Sequence, residues 1–181
     1  MFFLRSKIAQ TILGYFFLHE TEELYLNEMV KKFGFDKRNA FKVIKKLLME
    51  GVFTSEKKGK ETYYSLNKKY PLFGEMKKIV LKTYGIESQL KSLLKKIPGI
   101  KEAYIIGSYA KDKMDVVSDI DVLVIGDVDT IKLNKEIAKL QKDINRQINL
   151  INITAKELRK KITSKDPFLQ NVFQNKKIRL I

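Results

Sequence analysis

The sequence predicts a chain of two domains, of mixed α+β and α/β class, from three observations. First, 181 residues with 44% hydrophobic content are enough to build packed cores. Second, the first third of the chain has the pattern of three helices followed by two strands. Third, the second half alternates strands with helices, which favours a small domain with one mixed sheet flanked by helices. We expect domains at residues 1–69 and 99–181, joined by a helical linker over 70–98.

The composition is strongly basic, with 36 Lys and Arg against 21 Asp and Glu and a formal charge of +15. This excess favours polyanionic partners such as nucleic acid or nucleotides, although a generally lysine-rich proteome would also produce it. The absence of cysteine excludes disulfides, thiolate zinc sites and thiol nucleophiles, and the single histidine, His19, cannot form a histidine cluster. Because Arg5, Lys7 and Gln10 interrupt the apolar start, we expect a cytoplasmic protein with no membrane span.

Turn and cap residues divide the first domain into short elements. The predicted elements are a helix over 4–18, a short helix over 27–32, a third helix over 36–51, and strands over 52–55 and 62–66. Gly34 is well suited to close the short helix, and Asp36 to cap the third one. The polar stretch EKKGKE is predicted to be the turn between the strands.

The third helix has one apolar face and one basic face. The apolar residues, which we expect to be buried, are Phe41, Ile44, Leu47 and Leu48. The opposite face and the hairpin turn carry a set of basic and amide residues: Lys37, Arg38, Asn39, Lys42, Lys45, Lys46, Lys57, Lys58 and Lys60. Positive charge is thus concentrated on two neighbouring elements of the predicted domain.

Three helices followed by a basic hairpin resemble the winged-helix domains of bacterial and archaeal transcription regulators, over about residues 4–67. The resemblance implies binding to duplex DNA, with the third helix in the major groove. The lysines would contact phosphates, whereas Arg38 and Asn39 are candidates for reading base edges. A solvated helix face, or a surface for protein contacts including a homodimer, would have the same pattern.

The predicted linker consists of two amphipathic helical segments. They begin near Pro71, are interrupted at Gly85, and end at Pro98 and Gly99. Such segments would either connect the two domains or pair two chains.

The second domain has a Gly-Ser pair at the end of one predicted strand and an Asp-x-Asp at the start of the next. Residues two apart on a strand face the same side, so Asp119 and Asp121 would direct both carboxylates to one point. Mg²⁺ takes oxygen ligands, typically one or two carboxylates together with substrate phosphates. Gly107 would let the backbone approach a phosphate, while Ser108 and Lys111 would add a donor and a positive charge. Each feature alone also fits an ordinary turn, but together they predict a site for a metal–nucleotide complex.

This combination closely resembles the DNA polymerase beta-like minimal nucleotidyltransferases, over about residues 87–181 and including the tail FLQNVFQNKKIRLI. The resemblance implies transfer of a nucleoside monophosphate from ATP or another NTP to an acceptor, with two Mg²⁺ ions. It implies that Asp119 and Asp121 are the catalytic metal ligands and that Gly107 and Ser108 hold the triphosphate. It also suggests a small helical protein partner, as in toxin–antitoxin pairs.

Active members of this group carry a third carboxylate on a later strand, and the matching position here is Asn149. An asparagine offers a carbonyl oxygen to Mg²⁺, but it is neutral and a very poor base. Other acids are near in sequence but not on the expected strand: Asp112, Asp115, Asp127 and Asp129. Two hypotheses stay open: an active nucleotidyltransferase coupled to DNA binding, and a DNA-binding regulator whose second domain senses a nucleotide or mediates assembly.

Overall fold

The computed structural model of the chain describes residues 5–111, 113 and 118–181. The chain divides into two compact units, residues 1–88 and 89–181. The boundary between the units lies inside the segment 70–98, which the sequence assigned to a helical linker. Within the described residues, no helix combines the length and apolar character needed to cross a membrane.

The first unit builds its core around its first helix. Its elements are α1 (Lys7–Leu18), β1 (Leu24–Tyr25), α2 (Leu26–Phe33), α3 (Lys37–Met49), β2 (Phe53–Lys58), β3 (Glu61–Leu66) and α4 (Phe73–Thr83). Ile12, Leu13 and Phe16 of α1 are fully buried, and α4 packs against α1. The three strands form an antiparallel sheet in the order β1-β3-β2. β1 was not predicted, because two residues are too few to show strand alternation.

The connection between α2 and α3 follows from local signals. Gly34 closes α2 in the left-handed conformation at φ 69°, which glycine adopts without steric cost. Asp36 caps α3, since its carboxylate accepts a hydrogen bond from the backbone N–H of Asn39 at 2.9 Å. These two residues set where α3 begins.

The hairpin is longer than the sequence suggested. Residues 56–58, predicted to belong to the turn, continue β2, and Lys58 is the register partner of Glu61. The turn itself contains only Gly59 and Lys60, with Gly59 at φ 62°. A two-residue turn of this kind matches the twist of paired strands, so pairing extends to the hairpin tip.

The buried face of α3 is rotated from the predicted one. Ala40, Ile44 and Leu47 are fully buried, whereas Phe41, which we expected in the core, is 46% exposed. Ala40 allows close helix packing at the centre of the face, and Phe41 consequently lies at its edge. The prediction was wrong because it counted only large apolar side chains.

The second unit has a mixed sheet, as the sequence predicted; its four strands lie in the order β6-β5-β4-β7. Its elements are α5 (Ile86–Leu94, beginning in the first unit), β4 (Ile100–Ile106), α6 (Gly107–Ala110), β5 (Ile120–Gly126), α7 (Thr130–Ile144), β6 (Ile148–Ile153), α8 (Ala155–Thr163), α9 (Pro167–Gln174) and β7 (Ile178–Arg179). β5 and β6 run parallel, while β4 is antiparallel to both β5 and β7.

Both faces of β5 are covered. Ile120, Val122 and Val124 are fully buried on one face. On the other face, Leu123 belongs to a cluster that also contains Leu169 of α9. Strand residues alternate between faces, so the α9 face is also the face of Asp121. This packing holds α9 beside the N-terminal end of β5.

Candidate functional site

Three strand ends meet at one edge of the second sheet. β4 ends there, and β5 and β6 both begin there. Asp121 is the register partner of Ile106 on β4 and of Asn149 on β6. The topology therefore brings together Gly107, Asp121 and Asn149, although up to about forty residues separate them in the sequence.

Gly107 cannot be replaced by a larger residue without disturbing Asp121. Its backbone is at φ 72°, a conformation that side chains rarely adopt. A Cβ atom built on Gly107 would lie 2.3 Å from the Asp121 Oδ2 atom, well inside van der Waals contact. The missing side chain thus makes room for this carboxylate beside the backbone.

Asn149 contacts Asp121 directly. Its side-chain nitrogen Nδ2 donates a hydrogen bond to Asp121 Oδ1 at 3.0 Å. An amide nitrogen has no lone pair for a metal ion, and the amide group cannot accept a proton near neutral pH. In the observed arrangement Asn149 therefore orients the acid and adds no negative charge.

A cavity of about 240 Å³ opens beside these residues. Four of the residues singled out from the sequence line it: Gly107, Lys111, Asp121 and Asn149. The remaining lining residues come from the strands and from α9 and its C-terminal end: Ile106, Ile151, Phe168, Asn171, Val172, Asn175 and Lys176. The sequence reasoning missed the α9 contribution, although spacings of three and four residues would have placed Phe168, Asn171 and Asn175 on one side of a helix.

Two predicted site residues lie near the cavity without lining it. Ser108 is half-buried in α6, and Asp119 is exposed immediately before β5. Asp119 lies one residue before β5, and continuing the alternation of the strand would direct it to the side of Asp121. Their roles as triphosphate and metal ligands stay predictions.

The four alternative acids fall into two pairs. Asp112 and Asp115 lie outside the described residues. Asp127 and Asp129 follow the opposite end of β5, which is about 20 Å long at strand rise. Asp129 caps α7 by accepting from the N–H of Ile131 at 3.0 Å. Neither Asp127 nor Asp129 can take the place of a third acid beside Asp121.

A buried arginine, which the sequence did not single out, holds the backbone at the N-terminal end of β5. Arg146 is 8% exposed, and its Nη1 donates to the carbonyl oxygen of Ser118 at 3.3 Å. The N–H of Ile120 donates to the carbonyl of Gln147 at 3.0 Å. Together these bonds fix the backbone on both sides of Asp119. One arginine in a basic chain gives no signal of such a role.

The acids present fit one Mg²⁺ ion shared with a nucleotide. Asp119 and Asp121 offer two carboxylates, the number such an ion typically takes from protein when phosphates complete its shell. Among the residues described, no group of three His, Cys, Asp or Glu is placed to hold a metal. A bound ion would supply positive charge against the phosphates; the acids of the described residues are fewer than two ions would need.

The basic residues of the first unit lie mainly at its surface. On α3 the exposed basic residues are Lys37, Arg38, Lys42 and Lys45, beside the exposed amide of Asn39, and Lys46 is half-buried. On the hairpin, Lys57 and Lys60 are exposed. The exposed members of this set are accessible to an anionic ligand of extended shape.

Lys58 differs from its hairpin neighbours because it is already paired. Its ammonium contacts the carboxylate of Glu23 and lies 3.5 Å from that of Glu56. It is also 5.5 Å from the ring centroid of Tyr63. The hydrogen bond to Glu23 raises the pKa of the Lys58 ammonium, so the group stays charged but is partly neutralised locally.

Solved structures similar to the chain match about half of its length or less, at low identity. One is a toxin–antitoxin with AMP-PNP, at 22% identity over 52% of this chain and 72% of the other, with a TM-score of 0.40. Another is a mutant of the toxin–antitoxin MntA-HpeT, at 20% identity over 53% and 73%, with a TM-score of 0.40. A third is a nucleotidyltransferase from Sulfolobus solfataricus described as putative, at 19% identity over 41% and 68%, with a TM-score of 0.30.

The family is shown by the sequence itself. No curated protein matches the chain. Residues 86–180, more than half of the 181 residues, match the family described as "Nucleotidyltransferase domain". This span contains the strand edge, Gly107, Asp121 and the cavity beside them. The chain belongs to the nucleotidyltransferase domain family.

Proposed function

We propose that the chain is a Mg²⁺-dependent nucleotidyltransferase that moves a nucleoside monophosphate from an NTP to an acceptor hydroxyl. The observation that carries this proposal is the meeting of Gly107, Asp121 and a cavity at one sheet edge within the family span. A new bond forms between the acceptor oxygen and the α-phosphorus, and the bond from that phosphorus to the β-phosphate oxygen breaks. Pyrophosphate leaves, and the acceptor proton passes to solvent.

Each site residue has a separate task in this proposal. Gly107 and Ser108 bind the triphosphate through backbone and hydroxyl donors, and Lys111 adds positive charge. Asp119 and Asp121 hold the ion that neutralises the phosphates. Phosphoryl transfer depends mainly on such positioning and charge neutralisation.

Transfer of label from α-labelled NTPs to protein, RNA or small-molecule acceptors tests this proposal. The change to make is Asp119→Ala with Asp121→Ala, and we expect transfer to disappear. Asp127→Ala is the matched control, since it removes an acid at the far end of the same strand. Transfer that survives the double substitution would show that the site is elsewhere.

A second candidate function is a regulator that binds the nucleotide without transferring it. The hydrogen bond from Asn149 to Asp121 favours this reading, because a neutral amide stands where active members of the family have an acid. Asn149→Asp separates the two candidates. If the wild type binds NTP but transfers only after this substitution, the regulator is correct. Equal transfer by both proteins would reject it.

Both candidates include DNA binding by a winged helix at residues 1–69. The short helix, the Gly34 turn, the cation-bearing α3 and the hairpin support this proposal. Neutralising Lys37, Lys42 and Lys45 should reduce the slope of log K against log salt by about 3 for duplex DNA, at roughly 0.9 per phosphate contact. An unchanged slope would argue for a surface with another role.

Protein partners are a separate proposal. We infer a homodimer from the two-fold symmetry that DNA sites commonly have, and a small helical partner from the sequence resemblance. Light scattering of the protein alone, and copurification with the product of an adjacent gene, test these two proposals independently.

A further inference from the structure

The α9 wall of the cavity differs chemically from the strand wall. The strand wall carries Gly107, Lys111 and Asp121, which suit phosphates and a cation. The α9 wall carries Phe168, Asn171 and Asn175, whose ring and amides suit a flat, neutral, hydrogen-bonding group, and Lys176 adds one positive charge beyond the C-terminal end of the helix. A nucleotide has these two kinds of surface, a charged triphosphate and a nucleoside.

We propose that α9 binds the nucleoside part of the nucleotide, with Phe168 stacking on the base and Asn171 and Asn175 bonding to its edge or to the sugar. The proposal rests on the proposed function, because it assumes that the triphosphate lies on the strand wall. α9 is then the element by which the protein distinguishes a nucleotide from a bare triphosphate.

The position of Phe168 on α9 supports a stacking role. Leu169 and Val172 point into the core cluster and fix the helix against the sheet. Phe168, Asn171 and Asn175, spaced by three and four residues, lie on the adjoining side and line the cavity. Phe168 is 40% exposed, so part of its ring is open to a ligand. An aromatic ring can stack on the face of any of the nucleic-acid bases.

The start of α9 is firmly held, which a specificity element requires. Asp166 caps the helix, accepting from the N–H of Leu169 at 3.0 Å. The same carboxylate accepts from Lys161 Nζ at 2.8 Å, and Pro167 occupies the first turn. Phe168 therefore has a backbone position set by bonds on both sides.

The two amides are arranged as a donor and an acceptor. Asn175 Nδ2 donates both to the Asn171 carbonyl oxygen at 2.8 Å and to Asn171 Oδ1 at 2.5 Å. Among the described residues, Asn171 Nδ2 and Asn175 Oδ1 have no further hydrogen-bond partner. Base edges and ribose hydroxyls present complementary donors and acceptors to such a pair.

The other side of α9 provides matched controls. Phe173 has nearly the same exposure as Phe168, at 38%, but it packs edge-on against Tyr104 and lies outside the cavity lining. Gln170 is exposed between Phe168 and Asn171 and also does not line the cavity. Phe173→Ala and Gln170→Ala thus control for loss of ring surface and loss of an amide on the same helix.

Calorimetric titration of the full chain with a non-hydrolysable ATP analogue and with inorganic triphosphate, both with Mg²⁺, tests the proposal. Phe168→Ala should weaken analogue binding about tenfold, as expected for loss of one stacked base, and leave triphosphate binding unchanged. Asn171→Ala should weaken analogue binding less, again without changing triphosphate binding. Both control variants should behave as the wild type.

Phe168→Leu keeps apolar volume in the helix and guards against misfolding as the cause; it should lose analogue affinity while melting at the wild-type temperature. Unchanged analogue affinity in Phe168→Ala overturns the inference and leaves the proposed function standing. If Phe168→Ala binds the analogue as the wild type does but transfers nucleotide more slowly, the inference is also overturned, and the α9 wall is assigned to the acceptor. If the wild type binds neither probe, the proposed function fails and the inference fails with it.

Discussion

The two units of the chain use charged residues in opposite ways. In the first, lysines and an arginine are spread over the exposed surface of α3 and the hairpin. In the second, an acid, a glycine and an amide converge on one sheet edge beside a cavity. The first arrangement suits an extended polyanion, whose phosphates repeat along its length, and the second suits one compact ligand.

The largest expected difference between the units concerns glycines with similar backbone angles. Gly107 is at φ 72° and Gly34 at φ 69°, but only Gly107 has atoms in the space of a Cβ. Gly107→Ala should displace the Asp121 carboxylate and lower nucleotide transfer about 100-fold, the effect of misplacing a site group by about 1 Å. Gly34→Ala is the control and should cost only the left-handed backbone strain, about 1 kcal/mol of unfolding free energy.

Transfer rates and thermal melting of both variants measure this contrast. Equal loss of transfer in Gly107→Ala and Gly34→Ala would show that backbone strain, and not the contact with Asp121, is what matters.

A smaller effect separates two neighbouring lysines of the hairpin. Lys57 is exposed, whereas Lys58 is paired with Glu23 and Glu56. Lys57→Ala should lower the slope of log K against log salt for DNA binding by up to about 0.9, the value of one phosphate contact. Lys58→Ala should lower this slope by less. Salt titrations of duplex binding measure both. A larger effect for Lys58 would mean that its carboxylate partners release it on binding.

The smallest effect is in alkaline solution and compares buried tyrosines of the two units. The hydrogen bond from Tyr104 to Glu102, and secondly burial, raise the pKa of the Tyr104 phenol above its usual value of 10.0. Burial alone raises the pKa of Tyr64. A raised folded-state pKa gives stability that is complete below pH 10 and is lost as pH rises through the folded pKa.

Unfolding free energy should consequently fall above about pH 10, and less steeply in Tyr104→Phe and in Tyr64→Phe. Glu102→Gln should make the fall in unfolding free energy less steep in the wild-type background. It should have no such effect in Tyr104→Phe, which has already lost the hydrogen bond. Denaturant titrations between pH 9 and pH 11 provide the measurement. A fall of equal steepness in Tyr104→Phe and the wild type would assign the loss to other groups.

Sequence reasoning predicted the elements that local signals determine. Gly34 and Asp36 set the ends of α2 and α3 because caps act within a few residues. The mixed sheet followed from alternating strands and helices. The same reasoning was wrong about Phe41, since burial on a helix depends on which neighbour approaches, and a small residue such as Ala40 can mark the centre of the contact.

The site was only partly predictable for a related reason. Gly107, Lys111, Asp121 and Asn149, which the sequence singled out, line one cavity, but the opposite wall comes from α9, about fifty residues beyond Asp121. Arg146 is similar: it holds the strand mouth through a backbone carbonyl, a contact with no sequence pattern. Such residues are identified by the strand register and by helix docking, both of which are long-range.

The most direct test of the account is Mg²⁺-dependent binding of a non-hydrolysable ATP analogue to the wild type, Asp121→Asn and Asp127→Asn. Asp121→Asn keeps the shape of the side chain and removes its charge. We predict binding that requires Mg²⁺, is unchanged in Asp127→Asn, and weakens at least about tenfold in Asp121→Asn, because even groups outside the direct ligand shell of a metal contribute that much. Equal affinity of the wild type and Asp121→Asn would contradict the assignment of the site.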